Sequence, residues 1–161
     1  MKRVCAFLLC GALMMPPAFA ASEGAWPAWA EEALSWGQEA AISQDFLTAP
    51  AETVSRGMAA QLLYEAAGRP AVTGTCPFSG VAEEYPDAVT WAASQGIVGG
   101  YGDGNFGPND PITREQLAAI LWRYAQVKGY DVSIGEDTNI LSYTDAYDVS
   151  EYAIPAMQWA C

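Results

Sequence analysis

The stretch GGYGDGNFGPNDPITREQLAAILWRY, Gly99 to Tyr124, decides how this chain folds. It joins a glycine-rich loop to Pro108 and Pro111 and then to an amphipathic helix. Thr113 and Gln116 have the N-cap and N3 spacing of a capping box. Beyond them Leu117, Ile120, Leu121 and Tyr124 recur at i, i+3, i+4 and i+7, and Gly129 ends the pattern. Upstream, Pro86 suits a first helical turn and Gly96 a C-terminal cap, which predicts a helix from about Pro86 to Gln95.

Between these helices the loop reads as a positioning device. Its glycines permit positive φ, its Asn and Asp residues make local turns, and its prolines stiffen the approach to the helix. Gly102 to Gly107 matches the dinucleotide pattern G-x-G-x-x-G literally, but no strand precedes it and the helix begins only at Thr113, so nucleotide binding is set aside. An EF-hand starting at Asp103 would place Pro108 at its sixth position and Arg114 at its twelfth, where glycine and a bidentate glutamate are needed. Weaker calcium binding through Asp103, Asn105 and Asn109 in another geometry is left open at this point.

The same helix, loop, helix pattern recurs along the chain. AVTWAASQGI (88–97) aligns with ALSWGQEAAI (33–42), and ITREQLAAILWRYA (112–125) with VSRGMAAQLLYEAA (54–67), the first copy having three loop residues fewer. Its second helix carries the stripe Ala59, Leu62, Leu63 and Ala66, with Gly68 as the stop. A third copy opens at YTDAYDVSEYAIPAMQWAC (143–161), where Ala156-Met157-Gln158-Trp159 repeats Ala88-Val89-Thr90-Trp91. Strand signals are weak, so the expected fold is all-α, with 69–77 and 129–142 as connectors. The expected organisation is a leader over 1–20, a degenerate first repeat over 21–70, a second over 71–130 and a truncated third over 131–161. One copy of this size cannot bury its apolar stripe alone, so the copies must pack on one another.

Met1 to Ala20 has the form of a secretory signal peptide, with Lys2 and Arg3, an apolar run from Val4 to Met15, and Ala18-Phe19-Ala20 as an A-x-A cleavage site. Secretion is the expectation, with no membrane contact after cleavage. The leader removes Cys5 and Cys10, leaving Cys76 and Cys161, a number too small for a disulfide framework; whether the two bond to each other stays open. It also removes two of the seven basic residues, so that Arg56, Arg69, Arg114, Arg123 and Lys128 stand against 19 acidic ones. Such a chain repels nucleic acid and anionic membrane surfaces.

The sequence has no histidine, which removes Ser-His-Asp and Cys-His catalysis and nearly all catalytic zinc sites. Glu31-Glu32 and Glu83-Glu84 are the visible carboxylate pairs for acid–base work. Adjacent residues do not face each other on a helix, and acids near a helix start complement its dipole, so these pairs read as structural. No enzyme activity, cofactor or metal is expected.

Trp91-Ala92, Gly96-Ile97, Gly102-Asp103-Gly104, Phe106, Pro108-Asn109 and Ile112-Thr113-Arg114 together resemble the S-layer homology module. That pattern runs from a Trp-Ala helix through a G-x-x-D-G-x-F-x-P-N loop to Ile-Thr-Arg-Ala-Glu. Here Thr-Arg-Glu-Gln replaces Thr-Arg-Ala-Glu; the first copy keeps Val54-Ser55-Arg56 but lacks the loop, and the third stops before its own loop and arginine. The resemblance implies tandem repeats packed as an incomplete pseudo-three-fold helical bundle, and non-catalytic attachment of an exported protein to the bacterial cell wall or surface layer. It implies a secondary cell-wall polysaccharide carrying a pyruvate ketal as the ligand. Thr113, Arg114, Ser55 and Arg56 are then the ligand contacts, Gly100 and Asp103 of the loop belong to the site, and Trp91 is a candidate for stacking on a sugar ring. Because Trp36 is equivalent to Trp91, a shared packing role is the competing reading. Two further readings stay open: an anchoring piece of a larger exported enzyme or transporter, and a surface-layer protein that self-associates.

A physical argument converges on the arginines. Arg56 and Arg114 each follow a Ser or Thr cap at the first position of a helix, where the macrodipole is already positive and a cation costs up to about 1 kcal/mol. A carboxylate ligand compensates, because helix amides plus a guanidinium fork give charge-assisted bonds of about 1.5–3 kcal/mol each. The competing reading pairs Arg114 with Asp110 or Glu115.

Overall fold

The computed structural model describes residues 27–43, 53–81, 83–135 and 139–161. The expected leader and its cleavage site lie outside the described residues. Five α-helices occur among the described residues: α1 (Glu31–Glu39), α2 (Arg56–Ala66), α3 (Pro86–Ser94), α4 (Arg114–Val127) and α5 (Ile154–Ala160). Short 3₁₀ turns lie at Ala28–Ala30, Ile140–Ser142, Ala146–Asp148 and Glu151–Ala153. Extended pairing among the described residues is confined to two isolated bridges, Ser55 with Pro111 and Ser79 with Asn105. The fold is therefore all-α.

Helix boundaries follow the local chemistry. Pro86 opens α3 and Gly96, at φ 71°, follows its C-cap. At α4 the Thr113 hydroxyl accepts from the Gln116 N–H at 3.2 Å and the Gln116 side chain accepts from the Thr113 N–H at 3.3 Å, so both halves of the capping box form. At α2 the Ser55 hydroxyl accepts from the Met58 N–H at 3.1 Å. Glu31 and Glu32 occupy the first turn of α1, where their charge complements the dipole.

The chain divides into two compact units with the break between Ile112 and Thr113. In each, the second helix of one sequence copy packs on the first helix of the next: α2 on α3 in one unit, α4 on α5 in the other. Packing units are thus offset by half a repeat from the copies read along the sequence. In the α2–α3 unit the buried set includes Ala59, Ala60 and Leu63 from α2, Ala88, Val89, Trp91 and Ala92 from α3, and Ile97 and Phe106 beyond them. Burial of aliphatic and aromatic side chains of this kind contributes about 1.5–3 kcal/mol each. In the α4–α5 unit Ala118, Ala119 and Ala156 form the contact, flanked by Trp122, Met157 and Ala160.

Gly57 fixes how closely α2 is approached. A Cβ there would run into the Tyr85 ring and come within 2.9 Å of the Pro108 carbonyl oxygen. Tyr85 holds φ at 58°, which costs a non-glycine residue roughly 1–2 kcal/mol. The equivalent of Gly57 on α4 is Glu115, whose carboxylate points into the other unit's own turn: it accepts from the Ser150 N–H at 2.8 Å, the Ser150 hydroxyl at 2.9 Å and the Tyr152 hydroxyl at 3.1 Å. One helix start is relieved of its side chain to admit a ring, and the other uses its side chain as a clasp.

Candidate functional site

The glycine loop is closed by its own backbone and Asx chemistry. The Tyr101 N–H donates to the Asn105 carbonyl at 3.0 Å, and the Asn105 N–H donates to Asp103 Oδ1 at 2.8 Å. Gly100 is demanded by space, since a Cβ would lie 2.6 Å from the Asn105 carbonyl oxygen and 3.0 Å from the Phe78 ring. Phe78 stacks on Phe106 with centroids 5.7 Å apart. Asp103 is exposed and its carboxylate serves the turn. Among the described residues no group of His, Cys, Asp or Glu gathers in a metal-holding arrangement.

This loop seats on the start of α2, so the arginine beside it is Arg56 of the first copy. Arg56 Nε donates to the Phe106 carbonyl at 3.0 Å and Nη2 to the Gly99 carbonyl at 2.7 Å. The guanidinium lies 4.6 Å from the Tyr101 ring centroid and 4.8 Å from that of Phe106. Cation–π contacts of this kind contribute about 0.5–2 kcal/mol each. The helix amides are used as well, with the Arg56 N–H donating to the Asp110 carbonyl at 3.0 Å and the Gly57 N–H to the Pro108 carbonyl at 2.8 Å. Arg56 is 5% exposed. No side-chain nitrogen is buried without a partner among the described residues.

Tyr101 and Asp110 form the rim. The Tyr101 hydroxyl donates to Asp110 Oδ2 at 2.9 Å. Burial pushes the phenol above its ordinary value and the hydrogen bond to Asp110 adds to this, while the Arg56 charge pulls the other way.

The remaining candidates separate from this cluster. Trp91 is buried in the α2–α3 packing, its ring 5.6 Å from that of Tyr64 and tilted by 52°. Its position is that of a core residue, as its equivalence to Trp36 allows. Ser55 and Thr113 spend their hydroxyls on their helix caps. Arg114 is exposed and takes part in no ion pair or hydrogen bond among the described residues, and Glu115 is engaged with Ser150 and Tyr152. Burial works against the Glu115 charge, but the Ser150 and Tyr152 hydrogen bonds outweigh it and hold the carboxyl below its ordinary value. Cys76 and Cys161 are free thiols.

Residues 78–118, which hold the glycine loop and the Thr113-Arg114 helix start, match the S-layer homology domain family. The chain carries an S-layer homology domain. A stretch of 111 residues is 31% identical to an endoglucanase of Bacillus sp. (strain KSM-635), covering 69% of this chain and 12% of that protein. No solved structure matches the chain. S-layer homology domains are non-catalytic modules that bind cell-wall polysaccharide and hold proteins at the cell wall. No helix among the described residues is long and apolar enough to cross a membrane.

What the motif does not announce is the partnership between copies. Its loop and its Thr-Arg lie together in sequence, whereas the loop of copy two closes on the arginine of copy one. Asp110, which rims that arginine, carries no motif signal. The glycine beside it is Gly107, where a side chain would collide with the Asp110 carboxylate and the Tyr101 ring.

Proposed function

We propose that the protein is a cell-wall anchoring module that holds an acidic secondary cell-wall polysaccharide through its two cap-following arginines, with a pyruvate ketal as the charged substituent. One observation carries the reading. In a chain with 19 acidic residues, neither Arg56 nor Arg114 pairs with a carboxylate among the described residues; the ion pair found there is Arg69 with Glu65. Arg123 and Lys128 make no ion pair there either, so what singles out Arg56 and Arg114 is their place at a helix start, where the dipole is already positive. A cation so placed favours an anion from outside, and a planar guanidinium suits a carboxylate bound by two parallel hydrogen bonds.

Arg114 offers its whole fork, and Arg56 only what its bonds to the Phe106 and Gly99 carbonyls leave unused. Gly100 and Asp103 serve this reading by shaping the loop. Binding is non-covalent, with no bond made or broken in the glycan.

The test is retention on pyruvylated wall polysaccharide, with depyruvylated polysaccharide as the control. Arg114→Ala should lower retention at least about tenfold, the worth of one charge-assisted bond, while helicity by circular dichroism stays the same. Undiminished retention, or equal retention on both polysaccharides, rules the reading out.

A second reading is favoured by the endoglucanase match: the module serves as the anchor of a larger exported enzyme. The two are compatible, since the anchor's chemistry does not depend on its cargo.

A further inference from the structure

Helices α2, α3 and α4 each run into a left-handed glycine, Gly68 at φ 85°, Gly96 at φ 71° and Gly129 at φ 67°. Helix α1 ends in the same turn without one. Ala41 holds φ at 54°, its N–H donates to the Gln38 carbonyl at 3.1 Å, and the Ile42 N–H donates to the Gly37 carbonyl at 2.9 Å. This is a Schellman closure with a Cβ at the position where only glycine is free of strain.

Glu65 of α2 holds the strained turn in place. Its Oε2 accepts from the Ser43 N–H at 2.8 Å, across 22 positions of chain, and its Oε1 accepts from Gln61 Nε2 at 2.9 Å and from Arg69 Nη2 at 3.1 Å. The Glu65 side chain is 3% exposed, and Ile42, next to Ser43, is buried as well. Arg69 is itself left-handed, at φ 51°, so the clasp lies between two strained points of the backbone. The second copy has no counterpart. Val98 stands where Ser43 does, Arg123 where Glu65 does, and Gly96 where Ala41 does.

Three donors converge on this carboxylate and no acceptor is bonded to it. A proton added there creates a buried hydroxyl with nothing to donate to, and it takes a lone pair from one of the donors. Arg69 is the charged group bonded to Glu65. Glu31, Glu32 and Glu39 of α1 and Asp87 of α3 are exposed and make no bond to it.

We infer that Glu65 is an acid-operated latch: while ionised it holds residues 41–43, at the end of α1, on α2, and on protonation it frees that arm while α2 and α3 stay packed. Burial raises the carboxyl, but the bonds from the Ser43 N–H, Gln61 and Arg69 outweigh it and hold the group below its ordinary value of 4.5. The latch is therefore fully closed above that value and opens as pH falls through the lower, folded one.

The experiment is amide hydrogen exchange on the whole protein between about pH 6 and about pH 3, with rates corrected for intrinsic exchange at each pH. Protection of the Ala41, Ile42 and Ser43 amides should fall about tenfold or more across that range, and that of the Val89 and Ile97 amides less than about twofold. Glu65→Gln should abolish the pH dependence of the arm. Arg69→Ala, at an exposed side chain, should move its midpoint to higher pH, because a cation favouring the ionised form is gone. Ala41→Gly should raise the arm's protection about fivefold at both ends of the range by removing strain. The inference is overturned if the arm and α3 lose protection together, if the arm loses none, or if either Glu65→Gln or Arg69→Ala leaves the arm's pH profile unchanged.

Discussion

Arg56 Nη2 lies 2.7 Å from the carbonyl oxygen of Gly99, 43 residues further along the chain. A cation from one repeat is thereby the clamp for the loop of the next, with Nε on the Phe106 carbonyl as the second jaw. Burying a guanidinium is costly unless its hydrogens are used, and here two carbonyls and two aromatic faces offset that cost.

Arg56→Lys keeps the charge but replaces a planar fork by a point, which cannot hold both carbonyls in this geometry. Losing one charge-assisted bond costs about 1.5–3 kcal/mol, and Arg56→Ala, which also orphans both carbonyls, costs about 3–5 kcal/mol. Thermal unfolding should show the order wild type above Lys above Ala, with faster amide exchange at Tyr101 and Phe106 in both variants. A melting temperature unmoved by Arg56→Ala would mean that the clamp contributes nothing.

Acid should loosen the α4–α5 unit. The folded carboxyl of Glu115 titrates below its unfolded value because the hydrogen bonds from Ser150 and Tyr152 outweigh burial. A group whose pKa is depressed on folding adds stability above the unfolded pKa, here 4.5, and loses it as pH falls through the folded value. Glu65 has the same sign in the other unit, with burial opposed by bonds from the Ser43 N–H, Gln61 and Arg69. Glu115→Gln should therefore be less stable than wild type in urea at about pH 7, and the gap should close towards about pH 3. A gap of equal size at both values would show that the charge of Glu115 plays no part.

How much of this was legible in the sequence depended on the range of the interaction. The α4 capping box and the Pro86 start of α3 rest on groups a few residues apart, and the residue types alone specify them. The repeat also required that copies pack on one another, as α2 and α3 do. The half-repeat offset was hidden, because nothing local to Ser55-Arg56 says that its partner is a loop some fifty positions downstream. Trp91 was ambiguous for a related reason: a Trp suits a helix interface or a sugar ring equally well, and only the position of Tyr64 shows which surface it meets.

Asp110 sets an electrostatic limit on the site. Its carboxylate accepts from the Tyr101 hydroxyl at 2.9 Å, and Tyr101 in turn covers the Arg56 guanidinium, so a negative charge sits at the rim that an acidic glycan approaches. Asp110→Asn keeps the size of the side chain and removes that charge. Two measurements should then move in opposite senses. The Tyr101 phenol, raised by burial and by the bond to Asp110, should titrate lower in an ultraviolet pH titration, though still above its ordinary value because burial persists. Retention on pyruvylated polysaccharide should rise by a few-fold at low salt and converge with wild type at high salt, since an exposed charge acts through a screened field. If retention falls instead, the Tyr101–Asp110 bond matters to the glycan as a prop for the ring over Arg56, and its value as geometry exceeds its cost as charge.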